Sequence, residues 1–369
     1  MAISRVEGAQ FLGCSLVLGE ERHCLADEPE LFGHDPAMRR RLQTTVGMDT
    51  RYTAAPGTTV CDLGELAAFE LLNTLDVPRD SIGALIFVTQ TPDHTMPGNA
   101  HVLHGRLALP TTSFAVDITA GCSGFVYGMH LASMLASHGI SDILLLCGDT
   151  LSKVVNPRDR TVVPLFGDAC SATLVRHVPG AAPMTFVLGS DGSGVPLMLR
   201  PAGGQREPST EATRQEVALE GGLYRSREDL YMDGFGIFNF TMTTQPGLWR
   251  AILEASGTTI DALDYVIFHQ ANRYIVETLR QKLGIAQEKA PADIFSRYGN
   301  LNAASIPAVL CDVLGGTLAQ RSVSAIFQGF GIGLSWGACH VQLDHVQCPP
   351  PKCFSTIQVA DARRQWSVV

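Results

Sequence analysis

Ser81-Ile-Gly-Ala-Leu-Ile-Phe-Val-Thr-Gln90 is answered later in the chain by Thr259-Ile-Asp-Ala-Leu-Asp-Tyr-Val-Ile-Phe-His-Gln270, with Thr89 set against His269. Both read as apolar strands, and the echo continues outward from them. A helix-like stretch precedes each (63–75 and 247–256) and another follows (99–107 and 272–283). A strand-turn-helix pattern comes next, at 117–136 and again at 294–314, setting Cys122 against Asn300. Each half closes on a Gly-rich turn leading into a strand: Phe166-Gly-Asp-Ala-Cys-Ser-Ala-Thr-Leu-Val175 and Gln328-Gly-Phe-Gly-Ile-Gly-Leu-Ser-Trp-Gly337. The chain therefore reads as a tandem repeat of one mixed α/β unit, with halves at 1–180 and 181–346 and a tail at 347–369.

Strands such as 142–147 are apolar throughout rather than alternating, which predicts sheets buried on both faces under layers of helix. If the halves pack about a pseudo-two-fold axis, corresponding turns converge, and residues far apart in sequence meet. Between the repeats, 195–229 is rich in Gly, Pro, Ser and charge. It reads as a long surface excursion bordering the site or an interface, since insertions of this length seldom occur without function.

Composition narrows the function. A length of 369 residues suggests two domains or one duplicated one. The formal charge of −9 and the lack of any cationic cluster beyond Arg39-Arg40-Arg41 argue against nucleic acid. No uninterrupted apolar run is long enough to cross a membrane, and the N-terminus lacks a signal-peptide core, so a cytoplasmic protein is expected. The ten cysteines include no CxxC pair, which favours reduced thiols over disulfides or zinc. Cys348 and Cys353 bracket Pro-Pro-Pro-Lys without two further ligands, and the tail is expected to be an exposed extension. His101 and His104, at helical spacing, read as ordinary core or surface residues. No metal and no cofactor are expected.

Chemistry concentrates at Asp117-Ile-Thr-Ala-Gly-Cys122-Ser-Gly-Phe-Val-Tyr127, where an apolar strand turns through small residues into a helix. That is the layout of a nucleophile elbow with cysteine as nucleophile. The helix pattern over 123–137 places Cys122 at a helix start, where free N–H groups and the dipole are expected to favour thiolate.

Four motifs in order, Thr119-Ala-Gly-Cys122-Ser-Gly-Phe125, Phe166-Gly-Asp-Ala169, His269-Gln-Ala-Asn272 and Tyr298-Gly-Asn300-Leu-Asn-Ala-Ala-Ser-Ile-Pro307, precede the second glycine turn. Together they resemble the thiolase superfamily, most specifically its β-ketoacyl-acyl-carrier-protein synthase III branch, over about 5–343. The resemblance implies a thiolase-like α/β fold with duplicated mixed-sheet halves in αβαβα layers, and a homodimer. It also implies decarboxylative condensation: Cys122 takes an acyl group from an acyl-CoA or acyl-carrier-protein donor, and a malonyl thioester, expected on a carrier protein, then loses carbon dioxide. His269 and Asn300 would donate hydrogen bonds to the resulting enolate oxygen, and the backbone N–H groups of Cys122 and Ile332 would hold the tetrahedral oxyanion. Asparagine as third member points to the priming type or to plant-style polyketide synthases. The absence of cysteine just before the second glycine turn disfavours thiolase itself.

The match departs from the family at the donor-binding positions. The tryptophan and arginine that bind coenzyme A are replaced by Arg41 and Thr45. Arg160 keeps the place of a phosphate-contacting arginine, and Asn272 that of a donor-binding asparagine. The carrier-docking arginine is displaced by one residue to Arg273, with Tyr274 at its usual position. Met96 stands where family members close the partner's acyl pocket across the dimer interface. Other readings of the same residues are acyl transfer to an alcohol or amine without decarboxylation, starter-unit loading and hydrolysis, and a non-catalytic partner subunit.

Overall fold

The computed structural model describes residues 1–32 and 35–355. Its two large sheets are built around buried, mostly apolar strands. In strand Ile143–Asp149, Leu144 and Leu146 pack with Leu63, Leu66 and Leu103 of helices Val60–Thr74 and Asn99–Arg106. Ile143, Leu145 and Cys147 point the other way, toward Phe125 and Met129 of helix Gly124–Ser137 and toward Ile306 and Val309 of helix Ser305–Val309. The second sheet meets the same central helices through Ile267, Ala325 and Phe327. Its outer face, with Val266, Phe268 and Ile326, is covered by Trp249, Ile252, Val276 and Leu279 of helices Gly234–Ser256 and Arg273–Lys282. Helix, sheet, helix, sheet, helix: the α/β thiolase-like layering expected from the sequence is the architecture observed. Each fully buried Leu or Phe contributes about 1.5–3 kcal/mol, so the central layer, packed from both sides, is a main stabilising element.

The sheets repeat one topology. The first runs Lys352–Cys353, Ala9–Leu18, Ala169–His177, Ile143–Asp149, Ala84–Val88, Phe114–Ile118. The second runs Ala2–Val6, Met184–Ser190, Ser335–Leu343, Val323–Gly331, Tyr265–Phe268. Ala84–Val88 and Tyr265–Phe268 both pair in parallel with the next strand inward, and the remaining shared pairs are antiparallel.

Two expectations are corrected, and two further segments take on definite structure. The strand-turn-helix pattern over 294–314 contains no strand: Ile294–Tyr298 is a short helix, and Asn300 makes only an isolated bridge to Phe166. Hence, among the described residues, the second sheet has no counterpart of Phe114–Ile118. The tail is not simply exposed, because Cys348 and Phe354 are buried and Lys352–Cys353 pairs with Ala9–Leu18; 356–369 lie outside the described residues. The excursion over 195–229 has built structure. A hairpin joins Val217–Leu219 to Leu223–Arg225, a capping box on Thr210 starts a short helix, and Met198–Leu199 pairs with Tyr231–Met232. The segment Asn302–Gln320 has the length and hydropathy of a membrane span, but 67% of it is buried as the central helical layer, in keeping with the sequence reading. Apolar runs between two sheets and within a bilayer share a composition.

Candidate active site

Cys122 sits on the turn between edge strand Phe114–Ile118 and helix Gly124–Ser137, and is 7% exposed. The strand's parallel register beside Ala84–Val88 sets where that turn falls. Above it, Gly331 closes strand Val323–Gly331. A Cβ at Gly331 would lie 2.8 Å from the Cys122 Sγ and 2.6 Å from its Cβ, so only glycine permits this approach. The approach brings the Ile332 N–H, with that of Cys122, to the sulfur.

His269 follows strand Tyr265–Phe268, and its own N–H donates to the Gln328 carbonyl at 2.9 Å, which holds it at the strand end. Its ring is buried, with Nδ1 2.7 Å from the Ser305 Oγ. The Ser305 oxygen also accepts the Gln270 N–H at 3.3 Å. A hydroxyl accepting there is free to donate to Nδ1, which leaves the hydrogen on Nε2 as a neutral donor. Burial lowers the His269 pKa to about 3, against a smaller opposite effect of the Asn302 backbone, so the ring is neutral at physiological pH.

Asn300 is fixed through its backbone to the Phe166 turn. Its N–H donates to the Leu165 carbonyl at 2.8 Å, and its carbonyl accepts the Gly167 N–H at 3.2 Å. Gly167 is required for this contact, since a Cβ there would stand 2.0 Å from the Tyr298 carbonyl oxygen. The Asn300 Oδ1 accepts the Asn302 N–H at 2.9 Å, which leaves the amide NH₂ as its free end.

Cys122, His269, Asn300, Ile332 and Asn272 line one cavity of about 90 Å³, together with Phe330, Ala271, Ile275 and Thr241. Met198 of the excursion and Met232 just after it also form its wall. The arrangement therefore offers a nucleophilic sulfur, two backbone N–H groups beside it, and two neutral side-chain donors in a mostly apolar enclosure. Among the described residues no group of His, Cys, Asp and Glu is placed to hold a metal ion.

The expectation of a stabilised thiolate is corrected. Burial, with a further contribution from Asp149, raises the Cys122 pKa to about 12, and the N–H groups of Cys122 and Ile332 offset only part of this. Desolvation of the charged form outweighs the helix terminus. The resting pair is thiol and neutral imidazole.

Arg160 and Met96 do not line the cavity. Arg160 donates to the Gly221 carbonyl at 2.6 Å, and Met96 is 80% exposed. Asn272 lines the cavity while its side chain caps helix Arg273–Lys282, accepting the Ile275 N–H at 2.8 Å. Arg273 is committed to the carbonyls of Gln43 and Thr44, whereas Tyr274 is exposed and stacks on Phe238. Sequence reasoning missed Ser305 and Asn302, both inside the quoted Asn300 motif. Polar residues in an otherwise apolar helical run were the available signal.

Residues 253–343 match the family model for the 3-oxoacyl-[acyl-carrier-protein] synthase III C terminal, and residues 116–192 match that for 3-oxoacyl-[acyl-carrier-protein] synthase III. A Campylobacter jejuni protein described as a candidate 3-oxoacyl-[acyl-carrier-protein] synthase 3 is 36% identical over 336 residues, covering 91% of this chain and 94% of that one. The β-ketoacyl-[acyl-carrier-protein] synthase III of Clostridium tetani is 33% identical over 303 residues, covering 80% and 88%. The crystal structure of 3-oxoacyl-(acyl-carrier protein) synthase from Burkholderia xenovorans LB400 superposes with a TM-score of 0.88 at 33% identity, covering 95% of this chain and 99% of that one.

Proposed function

The chain belongs to the 3-oxoacyl-[acyl-carrier-protein] synthase III family and is an acyltransferase that forms a carbon–carbon bond by decarboxylative Claisen condensation; from that premise we propose how its own residues divide the work. Cys122 carries the acyl group as a thioester, donated by an acyl-CoA or an acyl carrier protein. A malonyl thioester on a carrier protein follows into the same cavity. Its carboxylate leaves as carbon dioxide, and the electron pair of the broken bond becomes the enolate. His269 through Nε2–H and Asn300 through its amide N–H hold the enolate oxygen. The enolate carbon attacks the acyl-cysteine, the N–H groups of Cys122 and Ile332 receive the tetrahedral oxyanion, and the sulfur departs.

The observation that carries this reading is one small cavity lined by the sulfur and both neutral donors. A ring whose pKa is lowered to about 3 is a poor general base, which weighs against transfer to an alcohol or amine. Homodimerisation is part of the proposal. Edge strand Phe114–Ile118 has no partner on its outer side among the described residues, and Phe114 is 46% exposed. Unpaired apolar edges are sites of strand addition. Cytoplasmic residence fits ten cysteines that are all free.

Intact-protein mass spectrometry against a panel of acyl-CoA and acyl-carrier donors tests the nucleophile. A mass gain is expected that Cys122→Ala abolishes, and a gain persisting in Cys122→Ala refutes the assignment. His269→Ala and Asn300→Ala should still load acyl groups yet lose malonyl decarboxylation by about a hundredfold or more, the usual effect of removing a preorganised donor. Normal decarboxylation in both variants removes the enolate-holding role.

A further inference from the structure

Resting on the reading of Asn300 as an enolate donor, the geometry behind that residue assigns work to two more side chains. Asn300 lines the cavity, but nothing in its own side chain decides which end of the carboxamide faces inward. The choice is made by the Asn302 main chain, whose N–H occupies the Asn300 Oδ1 at 2.9 Å. Asn302 presents that N–H from a conformation with φ at +51°, in the left-handed region that non-glycine residues seldom occupy. Such a backbone persists where its surroundings over-determine it.

The determinant is across the molecule. The Asn302 Nδ2 donates to the Asp149 Oδ2 at 2.5 Å and to the Gln90 Oε1 at 3.3 Å. Asp149 ends strand Ile143–Asp149 of the first sheet, is buried, and has no ion pair among the described residues. Its other oxygen accepts from the Gln90 N–H at 2.6 Å, the Thr89 hydroxyl at 3.0 Å and the Thr91 hydroxyl at 3.1 Å. The carboxylate is thus held rigidly by the first half, and its one remaining oxygen is given to the second. The link also touches the nucleophile turn: Asn302 Oδ1 is a buried oxygen without a hydrogen-bond partner, and a Cβ at Gly121, the residue before Cys122, would lie 3.1 Å from it.

We propose that Asp149 and Asn302 are positioning residues for the condensation. Asp149 anchors the Asn302 side chain, the anchored turn presents its N–H to the Asn300 Oδ1, and the Asn300 amide donor is thereby aimed at the enolate oxygen. The link registers a donor of the second half against the nucleophile of the first. It acts on decarboxylation and leaves acylation of Cys122 alone, because acylation does not use the Asn300 amide.

Four variants of the full-length protein test this, each measured for Cys122 acylation by intact mass, for kcat and KM of malonyl decarboxylation, and for thermal unfolding. Asn302→Gly keeps the left-handed backbone available and removes the tether. Asp149→Asn sets two amide NH₂ groups against each other. Asp149→Asn combined with Asn302→Asp restores a donor and an acceptor with the roles exchanged. Asn300→Ala is the reference. The first two variants are expected to lower decarboxylation kcat by about ten- to a hundredfold, as an ångström-scale misplacement does, with acylation changed by less than about threefold. The exchanged pair is expected to recover most of that loss, which a merely structural role would not give. Wild-type decarboxylation in Asn302→Gly, or no recovery in the exchanged pair, overturns the proposal while loss in Asn300→Ala keeps the site reading. Normal decarboxylation in Asn300→Ala brings down the site reading and this inference with it.

Discussion

At Cys122 two effects oppose each other, and their magnitudes decide the state of the sulfur. A helix start stabilises a negative charge by about 0.3–1 kcal/mol when exposed, whereas taking a charge out of water costs several kcal/mol. Burial wins, and the thiol pKa stands near 12. Because the folded-state pKa lies above physiological pH, the reactive thiolate fraction increases with pH and reaches no plateau between pH 7 and 9. Alkylation of Cys122 by iodoacetamide, followed by mass spectrometry with Cys122→Ala as control, should therefore accelerate by about tenfold per pH unit in that range. A plateau below pH 7 would instead show that the helix terminus prevails. This residue also marks what single positions reveal. The strand, small turn and helix that expose Cys122 are neighbours in sequence and so are legible there. The groups that desolvate it, Phe330 and Ile332 among them, are some two hundred positions away and visible only once folded.

Elements were legible where one period ran long enough. Phe114–Ile118 and Gly124–Ser137 fall where the apolar pattern puts them, because each is specified by its own side chains. The predicted strand near 294–300 failed for a different reason. Its backbone pairs with the 165–167 turn rather than with a sheet, a choice made by Gly167 and invisible in 294–300 itself. That pairing makes a sharp prediction. Gly167→Ala would drive a Cβ to 2.0 Å from the Tyr298 carbonyl oxygen, a backbone atom that cannot swing aside as a side chain can. Overpacking of this kind is expected to destabilise the protein by about 1–3 kcal/mol. The urea midpoint should fall, and because Asn300 rides on the same turn, malonyl decarboxylation should fall further than acylation of Cys122. An unchanged midpoint with equal activity in both assays would mean that the two turns separate freely.

For the molecule as a whole, duplication was the strongest message of the sequence, since two strands of matching wording imply two sheets of matching order. The chain ends were not legible. Residues 2–6 add to the second sheet beside Met184–Ser190, and Lys352–Cys353 adds to the first, so each end crosses to the opposite half. Short edge strands carry too little pattern to announce a partner. Once these additions are made, Lys352–Cys353 caps one side of the first sheet, and its other side ends at Phe114–Ile118. That edge lies next to the Cys122 turn, so a second copy joining there would bring its own surface close to the nucleophile. Phe114, 46% exposed, and Met96, 80% exposed, are the apolar groups to test. Phe114→Lys puts charge on the strand edge, a device by which sheets resist association, and Met96→Glu adds charge on the exposed loop before helix Asn99–Arg106. Sedimentation equilibrium should give a dimer for the wild type, and the double variant should dissociate at protein concentrations about a hundredfold higher than the wild type requires, equivalent to about 2.7 kcal/mol. A monomeric wild type at micromolar concentration, or a double variant that associates as tightly, would remove this edge as the contact between subunits.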